Sequence, residues 1–316
     1  ILPGKAGAAA AEKTVRLVRD TIQLEKQAAK SEIRTFKDSG GRNLRIGVVT
    51  IPAFYSDFEA ARRGVKDYRS TTRDVRRLLK ELQGQIDGLV LDLRENGGGS
   101  LQEAVDLTGL FIDNGPVVQV RNAGGRVEVE EDGERGQAYD GPLAVLVDHA
   151  SASASEIFAG AIQDYGRGIV IGDPTFGKGT VQTLVDLSRL TRAKDAQGQL
   201  KMTIAKFYRV SGGSTQHRGV RPDITIPSAM DSEDIGESAQ KNALPWDEIP
   251  ATSYKGNPRL AAQVPELMRR HQARIADDAD YQAFLHDLEF ARQQREKTTV
   301  SLLEKQRQIE QERLET

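Results

Sequence analysis

Cysteine is absent from this 316-residue chain. Disulfides, thiol nucleophiles and zinc–thiolate sites are therefore excluded. The compartment stays open, because a cysteine-free chain suits cytosol and periplasm equally. Histidine is scarce, with four residues. Charge of one sign is lacking too: the formal net charge is −2. No basic excess calls for nucleic acid, and no polybasic cluster calls for anionic lipid. No apolar run approaches the roughly 18 residues that span a bilayer. The opening lacks the basic-then-apolar order of a signal peptide. Lys13–Asp20 and Thr21–Lys26 read as strand-like pieces without an upstream partner, so the start reads as a cut inside a larger protein. We find no internal repeat.

What is present reads as a layered α/β core. Arg45–Ile51, Asp87–Leu93, Leu143–Val147 and Gly168–Ile171 are apolar, β-rich runs and predict strands. Thr71–Leu82 and Leu101–Leu110 carry apolar residues at helical spacing. Ser153–Tyr165 predicts another helix. Val117–Arg121 and Val127–Glu130 predict a hairpin across Gly124-Gly125. Val181–Leu187 and Lys201–Val210 predict two more strands. Alternation of this kind implies helices layered on a sheet. After Pro227 the composition shifts. Ser228–Ser238 is small and acidic, and from about Arg259 the chain is rich in Ala, Leu, Gln, Glu and Arg. The division expected is 1–35 as the end of an upstream domain with connecting strands, 36–227 as the core, 228–258 as a linker and 259–316 as a helical C-terminal region. Its last stretch, Leu302–Leu314, is charged enough for an exposed helix or a disordered tail.

Three constellations carry chemistry. Ser151-Ala-Ser-Ala-Ser-Glu156 opens the helix at 153–165. Its plain reading is a capping box, Ser153 with Glu156 three residues on. A serine there also sits at the positive end of the helix, where an oxyanion is favoured. Gly172-Asp-Pro-Thr-Phe-Gly-Lys-Gly-Thr180 nearly spells a phosphate-binding loop. It lacks a hydroxyl next to Lys178, and a strand follows where a helix is required. Arg94-Glu-Asn-Gly-Gly-Gly99 follows a strand, and its glycines let backbone amides approach a ligand. Two decoys are set aside. Ser238-Ala-Gln-Lys241 fits S-x-x-K but lacks the companion motifs of penicillin-binding enzymes. His149 lies near the serines, but no other motif frames it as a triad member.

Taken together, these motifs closely resemble the carboxyl-terminal processing, or tail-specific, proteases. The resemblance rests on Leu91-Asp-Leu-Arg-Glu-Asn-Gly-Gly-Gly99, residues 151–156 and Thr175-Phe-Gly-Lys-Gly-Thr-Val-Gln182. Lys206-Phe-Tyr-Arg209, Gly212-Gly-Ser-Thr-Gln216 and Gly219-Val-Arg-Pro-Asp223 continue it. It covers about Ile46 to Ile226. Lys178 follows Ser153 by 25 residues, the family separation, and Gln182 follows Lys178 by four. Asn242-Ala-Leu-Pro-Trp-Asp247 and the helical tail resemble the larger periplasmic members of Gram-negative bacteria.

The resemblance implies a fold akin to the Clp protease and crotonase core. It implies Ser153 as nucleophile, Lys178 as general base and Gln182 as the residue orienting the lysine. The Ala154 and Gly98 amides carry over as the oxyanion hole. No cofactor or metal is expected. Substrates would be proteins or peptides with apolar C-termini, with an adaptor protein as a further partner and the periplasm as location. The family carries a PDZ domain before the core, of which only residues 1–35 would remain here, so full activity is in question. The rival readings are a catalytically weak peptide-binding scaffold on the same fold, and a nucleotide-binding protein using Gly172–Thr180.

Overall fold

The run Gly88–Asp92 is apolar on both sides, which suits a strand covered on both faces. It lies at the centre of a six-stranded sheet. A computed structural model describes residues 28–38, 40–189, 198–228 and 235–315. The strands are β1 (Lys30–Lys37), β2 (Asn43–Thr50), β3 (Gly88–Asp92), β4 (Gly115–Asn122), β5 (Val127–Asp132), β6 (Leu143–Val147), β7 (Ile169–Gly172), β8 (Thr180–Asp186), β9 (Gln199–Tyr208) and β10 (Ile224–Thr225). The first sheet has the order β1-β2-β3-β6-β7-β10. β1 is antiparallel to β2, and the other neighbours are parallel. The second sheet, β5-β4-β9-β8, is antiparallel.

The helices of the core are α1 (Phe58–Arg62), α2 (Thr71–Leu82), α3 (Leu101–Gly109) and α4 (Ala154–Asp164). α2 buries Val75, Leu78, Leu79 and Leu82, the positions that share one helical face. Ser70 caps it by accepting from the Arg73 amide, and Ser100 caps α3 through the Glu103 amide. α3 packs on α4, and Phe111 meets Phe158 edge to face at 5.9 Å. The expected strands and helices appear with their ends moved by a residue or two. β1, α1 and β10 have no counterpart in the sequence reading. β1 is mostly exposed, so it lacks an apolar face that would announce it. It pairs along the whole of β2 and places Lys30–Thr35, expected from the resemblance to belong with the upstream segment, on the edge of the core sheet. The strand-like pieces at 13–26 lie outside the described residues.

The segment read as a linker lies along the core where it is described. The Trp246 indole donates to the Ser214 carbonyl at 2.9 Å. Asp247 accepts from Arg121, Lys206 and the Tyr208 hydroxyl. The Thr252 and Asn257 amides bond to the Val210 and Tyr165 carbonyls. After this strap come α5 (Pro258–Ala261), α6 (Val264–Ala276), α7 (Ala279–Glu296) and α8 (Glu304–Glu315). The charged last stretch is thus a helix.

Candidate active site

The turn from β6 into α4 sets Ser153 in an unusual backbone conformation, with φ +58° and ψ −109°. Positive φ is strained for a side chain with a Cβ and persists only where its surroundings enforce it. Here they do. Asp148 accepts from the Ala150 and Ser151 amides, both at 3.0 Å. The fully buried Ser151 hydroxyl donates to the Leu93 carbonyl at 2.8 Å. The fully buried Ser155 hydroxyl donates to the Asn96 carbonyl at 2.8 Å. The two flanking serines are thus spent on scaffolding, and Ser153 alone is left partly exposed to the cavity. The capping box expected there is present: Glu156 accepts from the Ser153 amide at 2.7 Å, and the Glu156 amide meets the Ser153 side chain while donating to the Ser153 carbonyl at 2.9 Å. In such a box the hydroxyl oxygen accepts, so the Ser153 O–H proton is not used by the cap. The Ala154 amide, first of the helix, has no acceptor among the described residues.

The glycine strip after β3 lies against this turn. Asn96, fully buried, anchors it by donating to the Ile51 carbonyl and accepting from the Gly98 amide at 2.9 Å. Gly98 has φ +99°. A Cβ on it would stand 2.7 Å from the Ala152 oxygen, 2.9 Å from the Ser153 Cβ and 3.1 Å from the Ala154 nitrogen. Only glycine allows this approach. Gly98 therefore lies against the Ser153 turn, but its amide is not free. It is held by Asn96 in this arrangement, while Gly97 and Gly99 line the cavity beside Ser153.

Lys178 lies on the loop entering β8 and is half-buried. Burial pushes its amine below the usual lysine range, and the charge of Lys201 pushes the same way, while the Glu237 and Glu156 carboxylates oppose them. Gln182 follows on β8, beside an irregularity where β8 and β9 slip register between Val181 and Gln182. Such slips redirect side chains, and Gln182 lines the cavity. The cavity, about 540 Å3, brings together Ser153, Ala154, Lys178 and Gln182. Its apolar wall includes Leu101, Ile157, Val181 and Phe207. The structure shows no hydrogen bond from Lys178 to Ser153 or to Gln182 among the described residues.

Glu156 ties the Ser153 turn to the Lys178 loop. It is fully buried and accepts from four donors. These are the Ser153 amide (2.7 Å), the Thr175 hydroxyl (2.6 Å), the Gly177 amide (2.7 Å) and the Lys178 amide (2.9 Å). Burial pushes its carboxyl up to about 7 despite these donors. The sequence signals Glu156 only as a capping partner. Lys201 carries no distinguishing signal, and Asn96 is signalled only as part of the Arg94–Gly99 motif.

The decoys resolve structurally. Lys178 leads into a strand, so no helix follows to hold a nucleotide phosphate. Ser238 and Lys241 are exposed. His149 is buried against Asp173 at 3.2 Å, and Asp173 also accepts from the Ser228 hydroxyl. His149 does not line the cavity of Ser153.

The sequence is similar to those of known proteases. Residues 45–226 match peptidase family S41, and residues 230–316 match the C-terminal domain of tail specific protease (DUF3340). The chain is 44% identical over 315 residues to the tail-specific protease of Haemophilus influenzae, covering 98% of this chain and 42% of that protein. It is 39% identical over 166 residues to the carboxy-terminal-processing protease of Bartonella bacilliformis, covering 51% of this chain and 37% of that protein. The chain thus spans about two fifths of the length of these relatives. In fold it is similar to mature CPAF, with a TM-score of 0.50 at 15% identity, over 65% of this chain and 51% of that one.

Proposed function

The chain belongs to peptidase family S41, and from that premise we propose that it is a serine endopeptidase working through Ser153 and Lys178. The observation that carries this reading is one cavity. It holds a strained serine whose hydroxyl proton goes to no acceptor among the described residues and a lysine whose ammonium form is disfavoured. A serine hydroxyl needs a base to become nucleophilic. A neutral Lys178 amine takes the Ser153 proton as Oγ attacks the scissile carbonyl carbon. The carbonyl oxygen becomes an oxyanion and is met by the Ala154 amide. Gly98 joins as second donor once Asn96 releases its amide. The C–N bond then breaks, and the leaving amine takes the proton from Lys178. Water, deprotonated by the same amine, cleaves the acyl-enzyme and returns the serine. Gln182 orients Lys178 without supplying the negative charge that would hold it protonated.

The lack of a hydrogen bond between Ser153 and Lys178 among the described residues favours a second reading, a weakly active scaffold until substrate draws the two together. Catalytic hydrogen bonds often tighten only in the Michaelis complex. The relatives' names point to protein tails as substrates, and the apolar wall suits an apolar side chain beside the cleaved bond. We assign protein or peptide substrates with apolar C-termini, an adaptor protein as a further partner and a periplasmic location on the same family ground. No helix among the described residues is long and apolar enough to cross a membrane.

The test is covalent labelling of Ser153 by a fluorophosphonate or sulfonyl fluoride. Labelling at Ser153 that falls at least about a hundredfold in Lys178→Ala, within the range of acid–base catalysis, supports the dyad. Labelling at Ser153 that is unchanged in Lys178→Ala refutes the lysine as base.

A further inference from the structure

The motif Gly212-Gly-Ser-Thr-Gln216 has so far received no role. Its glutamine is fully buried, and its side-chain amide makes three hydrogen bonds. Oε1 accepts from the Gly179 amide at 2.8 Å, the residue directly after Lys178. Nε2 donates to Glu237 Oε1 at 3.0 Å and to the Leu244 carbonyl at 2.9 Å. Glu237 and Leu244 belong to the C-terminal region that begins at residue 230, not to the protease core. One buried amide therefore bonds the base loop on one side and the strap on the other.

The contacts around it leave the loop little freedom. The His217 amide donates to the Gly177 carbonyl at 2.8 Å, and the Thr215 hydroxyl to the Lys178 carbonyl at 3.3 Å. The Glu237 amide donates to the Phe176 carbonyl at 3.0 Å. A Cβ on Gly179 would stand 2.7 Å from the Gln216 nitrogen, so loop and motif are in direct contact. The strap is clamped in turn. Trp246 bonds to the Ser214 carbonyl, and the Arg218 guanidinium stacks 3.4 Å over its ring. The inner side of the base loop is held by Glu156, a core residue. The outer side is held by Gln216 together with the C-terminal region.

We propose that Gln216 is a positioning residue that couples docking of the C-terminal strap, through Glu237 and Leu244, to the placement of Lys178. This coupling rests on Lys178 being the base. An amide suits this post because it accepts from one side while donating to the other. A carboxylate could still accept from Gly179, but it could not donate to Glu237. Two carboxylates, one of them fully buried, would then face each other and repel. The Glu237 carboxylate also acts on the Lys178 amine directly, favouring its charged form. The strap thus bears on the base both mechanically and electrostatically.

The experiment uses the full chain and the rate of fluorophosphonate labelling of Ser153 between pH 5 and 10, with melting temperature measured in parallel. Gln216→Glu should slow labelling at least about tenfold, the size of one buried hydrogen bond, and move the acid limb to higher pH. Glu237→Gln in the same chain should restore the contact with donor and acceptor exchanged. The double variant should recover most of the rate and bring the limb back. A structural role alone would lower the melting temperature of Gln216→Glu while leaving the limb in place, and that result overturns the proposal. So does a double variant no faster than Gln216→Glu. Lys178→Ala separates the two ideas. If it labels like the parent, the base assignment has failed. If it does not label while Gln216→Glu labels like the parent, the base stands and the coupling is refuted.

Discussion

Replacing Glu156 by Gln mimics its protonated form at every pH, and the structure sets the expected size of the effect. The carboxyl is fully buried and pushed from 4.5 up to about 7. Between those values the native state holds a proton that the unfolded chain has released. Stability therefore falls as pH rises through that window, and the contribution is fully present only below it. At about 1.4 kcal/mol for each tenfold change in proton affinity, the fall is about 3 kcal/mol. The Gln variant has no such group, so its unfolding free energy should lack this decline. The variant also loses acceptors. The Thr175 hydroxyl can turn to accept from the new amide, but either Gly177 or the Ser153 and Lys178 pair then loses its partner. An orphaned buried donor costs about 1–3 kcal/mol. At pH 8 the two changes offset, so the melting point should move little. Activity should still fall about tenfold or more, because the donors at stake hold nucleophile and base in register. The parent's activity should climb below pH 7 with a slope approaching two, as Lys178 loses its proton and Glu156 loses its own. The variant should climb with a slope of one. Urea unfolding from pH 4.5 to 8.5 and labelling of Ser153 over the same range read both. Parallel stability curves, or an unchanged activity slope, would refute the role given to Glu156.

Other perturbations discriminate further. Gly98→Ala forces a Cβ against the Ala152 oxygen at a positive φ, so it should destabilise by more than about 1 kcal/mol and nearly abolish Ser153 labelling; retained labelling would mean the strip is not needed beside the nucleophile. Ser153→Ala should abolish cleavage of an unstructured polypeptide. Ser151→Ala and Ser155→Ala should instead lower the melting temperature through lost buried hydrogen bonds, about 1 kcal/mol or more each, while keeping a labelled serine; loss of labelling with Ser155→Ala at unchanged stability would shift the nucleophile. Lys178→Arg should be inactive at all pH values, since guanidinium does not deprotonate in proteins, and kcat/KM across pH checks it. Gln182→Glu should move the acid limb upward by favouring the ammonium of Lys178; an unmoved limb would separate Gln182 from the base.

Local patterns carry far in this protein. Val75, Leu78, Leu79 and Leu82 announce α2 because a helix repeats its face every three to four residues. Gly88–Asp92 announces a central parallel strand because it has no polar face to leave in water. β1 stays hidden because its residues are mostly exposed and its reason to be a strand is the open edge of β2. The strap stays hidden because Trp246 and Asp247 find partners on β9, on β4 and at Ser214, far away in sequence.

The same division runs through the site. Ser153, Lys178 and Gln182 are expected from the resemblance to family motifs, and the fold brings all three to one cavity. The helix start beside Ser153 is legible, since capping is a local matter. That the Ser151 and Ser155 hydroxyls are tied into the scaffold was not. Ser151, Ser153 and Ser155 look alike in sequence, and only packing against Leu93 and Asn96 removes two of them. The commitment of the Gly98 amide to Asn96, and the bridges made by Glu156 and Gln216, belong to tertiary structure as well. Hydrogen bonding in a buried site depends on which donors the fold brings within about 3 Å, and no spacing along the chain encodes that distance.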